Sequence, residues 1–131
     1  MISRETCLAI LNAIDHAIVF VDNEHIIRHL NKAAEKRYYE GRGYHDLIGK
    51  SLLDYHNSAS RTQIGEVYQR LKDGEDQVDL GVNKYNERTT VVAIRDGNRN
   101  LLGYFEWFEP VGDAGVGDLN KDATERAHPG A

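Results

Sequence analysis

The stretch GKSLLDYHNSASRTQIGEVYQRLKDGE, residues 49–75, decides the reading of this chain, because a histidine, a helix start and a long amphipathic helix follow one another within it. His56 stands at its centre. Asn57 and Ser58 are turn and cap formers, and Ser60 with Gln63 has the S-x-x-Q spacing by which a hydroxyl and an amide satisfy the free N–H groups of a helix start. Ile64, Val67, Tyr68 and Leu71 then recur at helical spacing, which predicts one buried face on a helix from about Ser60 to Lys72, with Gly74 as its stop. A histidine one turn ahead of such a helix points into a cavity or at solvent.

Toward the N-terminus, Asn31 caps a second predicted helix in NKAAEKRYY, which the GRG of residues 41–43 ends. Residues 17–21 (AIVFV) and 25–30 (HIIRHL) flank the turn-prone DNE of residues 22–24 and read as an antiparallel hairpin. Ser3 caps a first helix with Cys7, Ile10, Leu11 and Ile14 on one face, a stripe that must pack on the chain's own sheet or on a second copy.

Toward the C-terminus, Val78, Leu80 and Val82 alternate with Asp79, Gly81 and Asn83 at the period of a half-buried strand. Asn86 and Glu87 make a turn to a second strand over residues 89–94, and a DGN turn at residues 96–98 leads to the last, LLGYFEWFE. On that strand Tyr104, Glu106 and Phe108 point one way, Phe105 and Trp107 the other. From Gly112 the chain is rich in Gly, Asp and Ala without an apolar stripe, and reads as a linker or disordered tail. Its GDAGVG does not lie between a strand and a helix, so it does not read as a phosphate loop.

A length of 131 residues suits one domain that needs no disulfide or metal to be stable. The single cysteine, Cys7, and the lack of a secretory leader point to a reducing, cytoplasmic location. No apolar run approaches the roughly 20 residues that cross a bilayer. The net charge of −5, with both signs interleaved, argues against the basic stripe that nucleic-acid binding needs. No serine elbow, H-E-x-x-H, phosphate loop or kinase signature is present, so the expectation is a non-catalytic protein.

The order helix, two strands, short helices, long helix, three strands resembles a PAS domain, the small sensory module. AIVFVDNEHIIRHLNKAAEKRY resembles that family's first hairpin and following helix, DLIGKSLLD its step toward the long F helix, and RDGNRNLLGYFEWFEPV its closing hairpin. The resemblance implies an α+β fold: a five-stranded antiparallel sheet in the order 2-1-5-4-3, helices on one face and a flanking N-terminal helix. The implied division is a flanking helix over residues 1–14, the PAS domain over 15–111 and the linker or tail over 112–131.

The DYHNSAS element is similar to a subgroup with His, Asn or Pro, then Ser before the F helix, which resembles the input domains of haem-dependent carbon monoxide sensors. Carried over, His56 is a candidate ligand to the iron of haem b. Ser60 to Lys72 contains no histidine, so the ligation scheme of oxygen-sensing haem PAS domains is not matched, and residues 49–75 contain no cysteine for the covalent photosensing chemistries.

The expected function is a sensor or signal-input domain that binds a small ligand or cofactor between sheet and helices. It would signal through a homodimer formed by the N-terminal helix and outer sheet face, or through an effector outside this chain, such as a histidine kinase or transcription regulator. The candidate binding set is His56, Tyr55, Ile64, Tyr68, Arg95, Phe105 and Trp107. For His56 two roles stay open: a ligand-facing imidazole, or a ring nitrogen that hydrogen-bonds the turn before the helix. His25 and His29 share strand parity in this reading but are too far apart to chelate one metal. Arg95 pairs with an anionic ligand or sits in a salt bridge. Two alternatives stand beside the sensor: a ligand-free dimerisation or docking module, marked by a core without a cavity of a few hundred Å³, and, more remotely, a small α+β isomerase-like enzyme.

Overall fold

A computed structural model describes residues 1–112 of the chain. Five strands, β1 Ile18–Asp22, β2 Ile27–Leu30, β3 Gln77–Val82, β4 Glu87–Arg95 and β5 Leu101–Pro110, form one antiparallel sheet in the order β2-β1-β5-β4-β3. The last strand thus lies in the centre of the sheet, and its alternation defines the two faces. Tyr104 and Phe108 are buried on the inner face with Val19, Val21 and Val91. The register sets Glu106 opposite Val19 on one side and Val91 on the other, so a carboxylate shares that apolar face. β5 runs tight against β1 at Gly103, where φ is +151° and a Cβ would collide with the Val21 carbonyl.

Three helices complete the fold. α1 Arg4–Ala13 begins at Ser3, whose hydroxyl accepts from the Thr6 N–H at 3.1 Å. None of its residues is buried; of the predicted stripe, Cys7 and Ile10 are exposed, Ile10 at 50%, while Leu11 and Ile14 are half-buried, so the chain covers only its C-terminal part. α2 Lys32–Glu35 starts at Asn31 and continues as a π-helical turn, Lys36–Glu40. α3 Ser58–Lys72 buries Val67 and Leu71 in the core and stops at Gly74, with φ +117°.

Asn31 joins these parts. Its fully buried side chain accepts from the Ile18 and Ala34 N–H groups at 2.9 and 3.0 Å, and donates to the carbonyls of Leu11 and His16 at 3.0 and 2.9 Å. One amide therefore caps α2, starts β1 and holds the end of α1.

Three local expectations need correction. α3 begins two residues before Ser60, because Asn57 has the extended backbone of a cap and its Oδ1 accepts from the Ser60 N–H at 2.9 Å. His25 is not a strand residue: φ is 64°, and the Asp22 carboxylate closes the turn around it by accepting from the Glu24 and Ile26 N–H groups at 2.9 and 3.0 Å. It therefore shares no parity with His29. In β3 the alternation breaks at a bulge, where the Asp79 carboxylate accepts from the Gly81 N–H at 2.8 Å and Gly81 takes φ +86°. The linker or tail expected over 112–131 lies, beyond Gly112, outside the described residues.

Candidate functional site

His56 follows a 3₁₀ turn, Leu52–Tyr55, in extended backbone and is 8% exposed. Its Nδ1 lies 2.9 Å from the Leu52 carbonyl oxygen. A carbonyl only accepts, so Nδ1 carries the proton, and in the neutral ring Nε2 keeps its lone pair. The Arg61 Nε braces the same turn by donating to the carbonyls of Leu53 and His56 at 2.8 and 3.0 Å. Of the two roles the sequence left open, the local hydrogen bond is present, and the same ring also lines the interior.

That interior contains two neighbouring cavities, and both His56 and Glu106 line each of them. The first lies between α3 and the sheet, against Ile64, Val67, Tyr68 and Tyr104, with about 20 Å³ of space for the centre of a water molecule. The second lies between the first hairpin and the segment preceding α3, against Val21, Ile27, Tyr38, Tyr44 and Tyr55, with about 40 Å³. Tyr44 stands edge-on to Tyr55 at 5.3 Å between ring centroids and 6.3 Å from Tyr38, so three phenol rings follow one another along this wall. Burial, and then the Glu106 charge, push the phenols of Tyr38 and Tyr104 well above the ordinary tyrosine range, so both stay neutral. At the edge of the first cavity, His25 Nδ1 meets the Tyr104 hydroxyl at 2.8 Å and its ring stands edge-on to Tyr68. Among the described residues no group of three or more His, Cys, Asp or Glu side chains converges as a metal site.

Residues 8–111 match the family model described as PAS domain. The chain belongs to the PAS domain family. No curated protein sequence matches it. Among solved structures, this PAS domain is similar to a C-terminal domain from Streptococcus mutans, with 21% identity, TM-score 0.67 and 90% of each chain covered. It is also similar to a PAS domain from Colwellia psychrerythraea, with 18% identity and TM-score 0.60 over 82% of this chain and 95% of that one. A sensory box sensor histidine kinase from Vibrio cholerae shares 14% identity and TM-score 0.54, over 83% and 89%. At such identities the structural likeness speaks to the fold alone.

Within the PAS fold the expected binding residues divide into two groups. His56, Tyr55, Ile64 and Tyr68 come together around the cavities. Arg95, Phe105 and Trp107 line neither. Arg95 turns to the end of α3, donating from Nη2 to the Leu71 and Glu75 carbonyls at 2.6 and 2.9 Å and from Nε to Asp76 at 2.9 Å. Phe105 and Trp107 occupy the outer sheet face, where Trp107 lies 4.8 Å from the His16 ring. The residue absent from the expected set is Glu106. Its parity with Tyr104 and Phe108 on the last strand was the available signal.

Haem does not fit this interior. The His56 tautomer is the one an iron ligand needs, since metal-bound histidines commonly donate their other N–H to a carbonyl. The space is not: pockets for organic ligands run to about 300–1,000 Å³, against about 20 and 40 Å³ here.

Proposed function

We propose that this PAS domain is the input module of a sensory regulator and that its signal is the occupancy of the two inner cavities by a small polar ligand. The observation that carries the reading is the pair His56 and Glu106, an imidazole and a carboxylate that both border an otherwise largely apolar and aromatic interior. Polar side chains at the wall of an otherwise apolar void are the few placed groups by which such a site orients a small ligand. His56 sits on the turn that starts α3 and Glu106 on the central strand, so a ligand touching both bears on the longest helix and on the sheet together. Occupancy transmits a signal only through a difference in affinity between two arrangements of those elements.

The output would pass through α1 and the outer sheet face to a second copy or to an effector. Exposed Ile10, with Phe105 and Trp107 half-buried on the sheet, supports that route. The histidine-kinase origin of a fold neighbour supports a kinase as the controlled partner. The test is an NMR screen of the purified domain against small polar compounds. The expected result is saturable shifts centred on His56 and Glu106. Hemin added in the same series should give no Soret band that depends on His56.

The small volume of the cavities favours a second reading, a PAS domain that carries no ligand and serves only to dock partners. A screen in which no compound shifts the interior resonances would establish that reading over the first.

A further inference from the structure

A groove outside the inner cavities has a chemistry of its own, and we infer that it binds a small zwitterion of the amino-acid type. It lies where the chain enters and leaves the sheet. Asp15, His16 and Ala17 link α1 to β1, Pro110 ends β5, and Lys36 and Arg37 open the π-helical turn. All border one void with about 280 Å³ of space for the centre of a water molecule. That is several times either inner cavity, and close to the roughly 300 Å³ at which pockets for organic ligands begin. None of its bordering residues lines the inner cavities, so the site stands apart from them.

The charges of the groove are of both signs and incompletely used. Glu87 is committed: it pairs with Arg37 Nη1 at 2.9 Å and accepts from Asn83 Nδ2 at 3.1 Å. Asp15 and Lys36 are exposed and, among the described residues, take part in no ion pair. Arg37 is only partly met. Its side chain is 14% exposed and its guanidinium lies 4.1 Å from the Phe108 ring centre. Its Nε and Nη2 are buried with no hydrogen-bond acceptor, the neighbouring Tyr38 phenol included. Those two nitrogens form one edge of the planar fork, the geometry that receives a carboxylate through two parallel bonds. A buried donor left unmet is costly, so a turn of that edge toward an acceptor in the groove is favourable.

The α1–β1 link brings the opposite chemistry. His16 Nδ1 lies 3.1 Å from the Phe108 carbonyl oxygen and therefore carries the proton, so in the neutral ring Nε2 is an acceptor, like the Asp15 carboxylate beside it. One bordering segment thus supplies cations and another supplies acceptors. A ligand of one sign is poorly matched: an anion meets Asp15 and Glu87, a cation Lys36 and Arg37. A molecule with a carboxylate for the π-helical turn and an ammonium group for the α1–β1 link matches both. Ala17, Ala33 and Pro110 leave an apolar stretch for its side chain. Held there, it would bear on the attachment of α1 directly.

The experiment titrates the folded domain with three compounds of one skeleton: leucine, isocaproate, which lacks the ammonium group, and isopentylamine, which lacks the carboxylate. All are compared near neutral pH at equal ionic strength. Trp107, the only tryptophan, stands 4.8 Å from the His16 ring and reports on the groove by fluorescence, with chemical shifts of the His16 ring as a second readout. Leucine should half-saturate both signals near or below about 10 mM, the scale of its heavy-atom count at ordinary ligand efficiency. Each analogue should bind at least about tenfold more weakly, as loss of hydrogen bonds to a charged group does. Lys36→Met and Asp15→Asn should each weaken leucine about threefold, the scale of one exposed charge pair. Both positions are exposed, so neither variant puts the fold at risk. The inference is overturned if either analogue binds as tightly as leucine, if both variants bind leucine unchanged, or if leucine moves the His56 ring in place of His16 and Trp107. Silence of both signals well above the stated concentration overturns it too.

Discussion

Asn31 is a single amide on which three segments depend. Its Oδ1 serves two backbone N–H groups and its Nδ2 serves carbonyls at the end of α1 and at His16. Asn31→Ala should therefore cost about 3 kcal/mol, the sum of a lost cap and buried backbone groups left unpaired. Chemical denaturation measures it; a loss below 1 kcal/mol would mean that water replaces the amide. The Asn31→Asp variant keeps the acceptor but sets a carboxylate against carbonyls, so it should not restore stability.

His25 carries a different prediction. Burial lowers its basicity, with the Asp22 charge acting in the opposite direction, so the net shift is below the ordinary histidine value. The unfolded chain then binds the proton more readily than the folded one. Stability is complete above the unfolded value of about 6.5 and declines as the pH falls through it toward the lowered folded value. In His25→Asn, whose side chain tolerates the left-handed turn, this step should vanish from a plot of stability against pH. An unchanged plot would assign the step elsewhere.

At the scale of the element, α3 is the best test of how far local rules reach. Its amphipathic face was legible from Ile64, Val67, Tyr68 and Leu71, because helical periodicity survives in any sequence that packs one side of a helix. Its first residue was not, because Asn57, Ser58 and Ser60 are all competent caps and only the chain's path decides which is extended. Its C-terminal end depends on a residue more than twenty positions away, the Arg95 guanidinium that donates to the Leu71 and Glu75 carbonyls. Arg95→Lys keeps the charge but loses the planar fork, and should cost about 1–2 kcal/mol. Hydrogen exchange should locate the loss in the last turn of α3. Loss of binding without loss of stability would return Arg95 to the ligand site.

At the scale of the whole molecule, α1 is a helix without a buried residue, attached at its C-terminal end through Asn31. In the isolated domain, Ile10→Asp should leave stability within about 0.5 kcal/mol of the parent, as exposed substitutions do. If α1 and the outer sheet face join two copies, the same change should lower the dimer fraction in sedimentation at high micromolar protein. A substitution that unfolds the domain, or leaves self-association untouched, would contradict that use of the helix.

By itself the sequence determined the order of elements and their approximate bounds, since period, caps and turn residues are local; the sheet order came only with the resemblance of that succession to one family. It also determined that Glu106 shares a face with Tyr104 and Phe108, because strand alternation needs no partner. Only the tertiary structure decided that this face is the inner one. Bringing β5 between β1 and β4 and laying the 49–75 stretch across them set Glu106 and His56 at the same cavities, fifty residues apart in sequence. Only packing reduced the volume there to a few waters. It also spent Arg95 on a helix end and left Phe105 and Trp107 on the outer face. A ligand site is a meeting of distant segments, and neither its partners nor its volume is carried by any one of them.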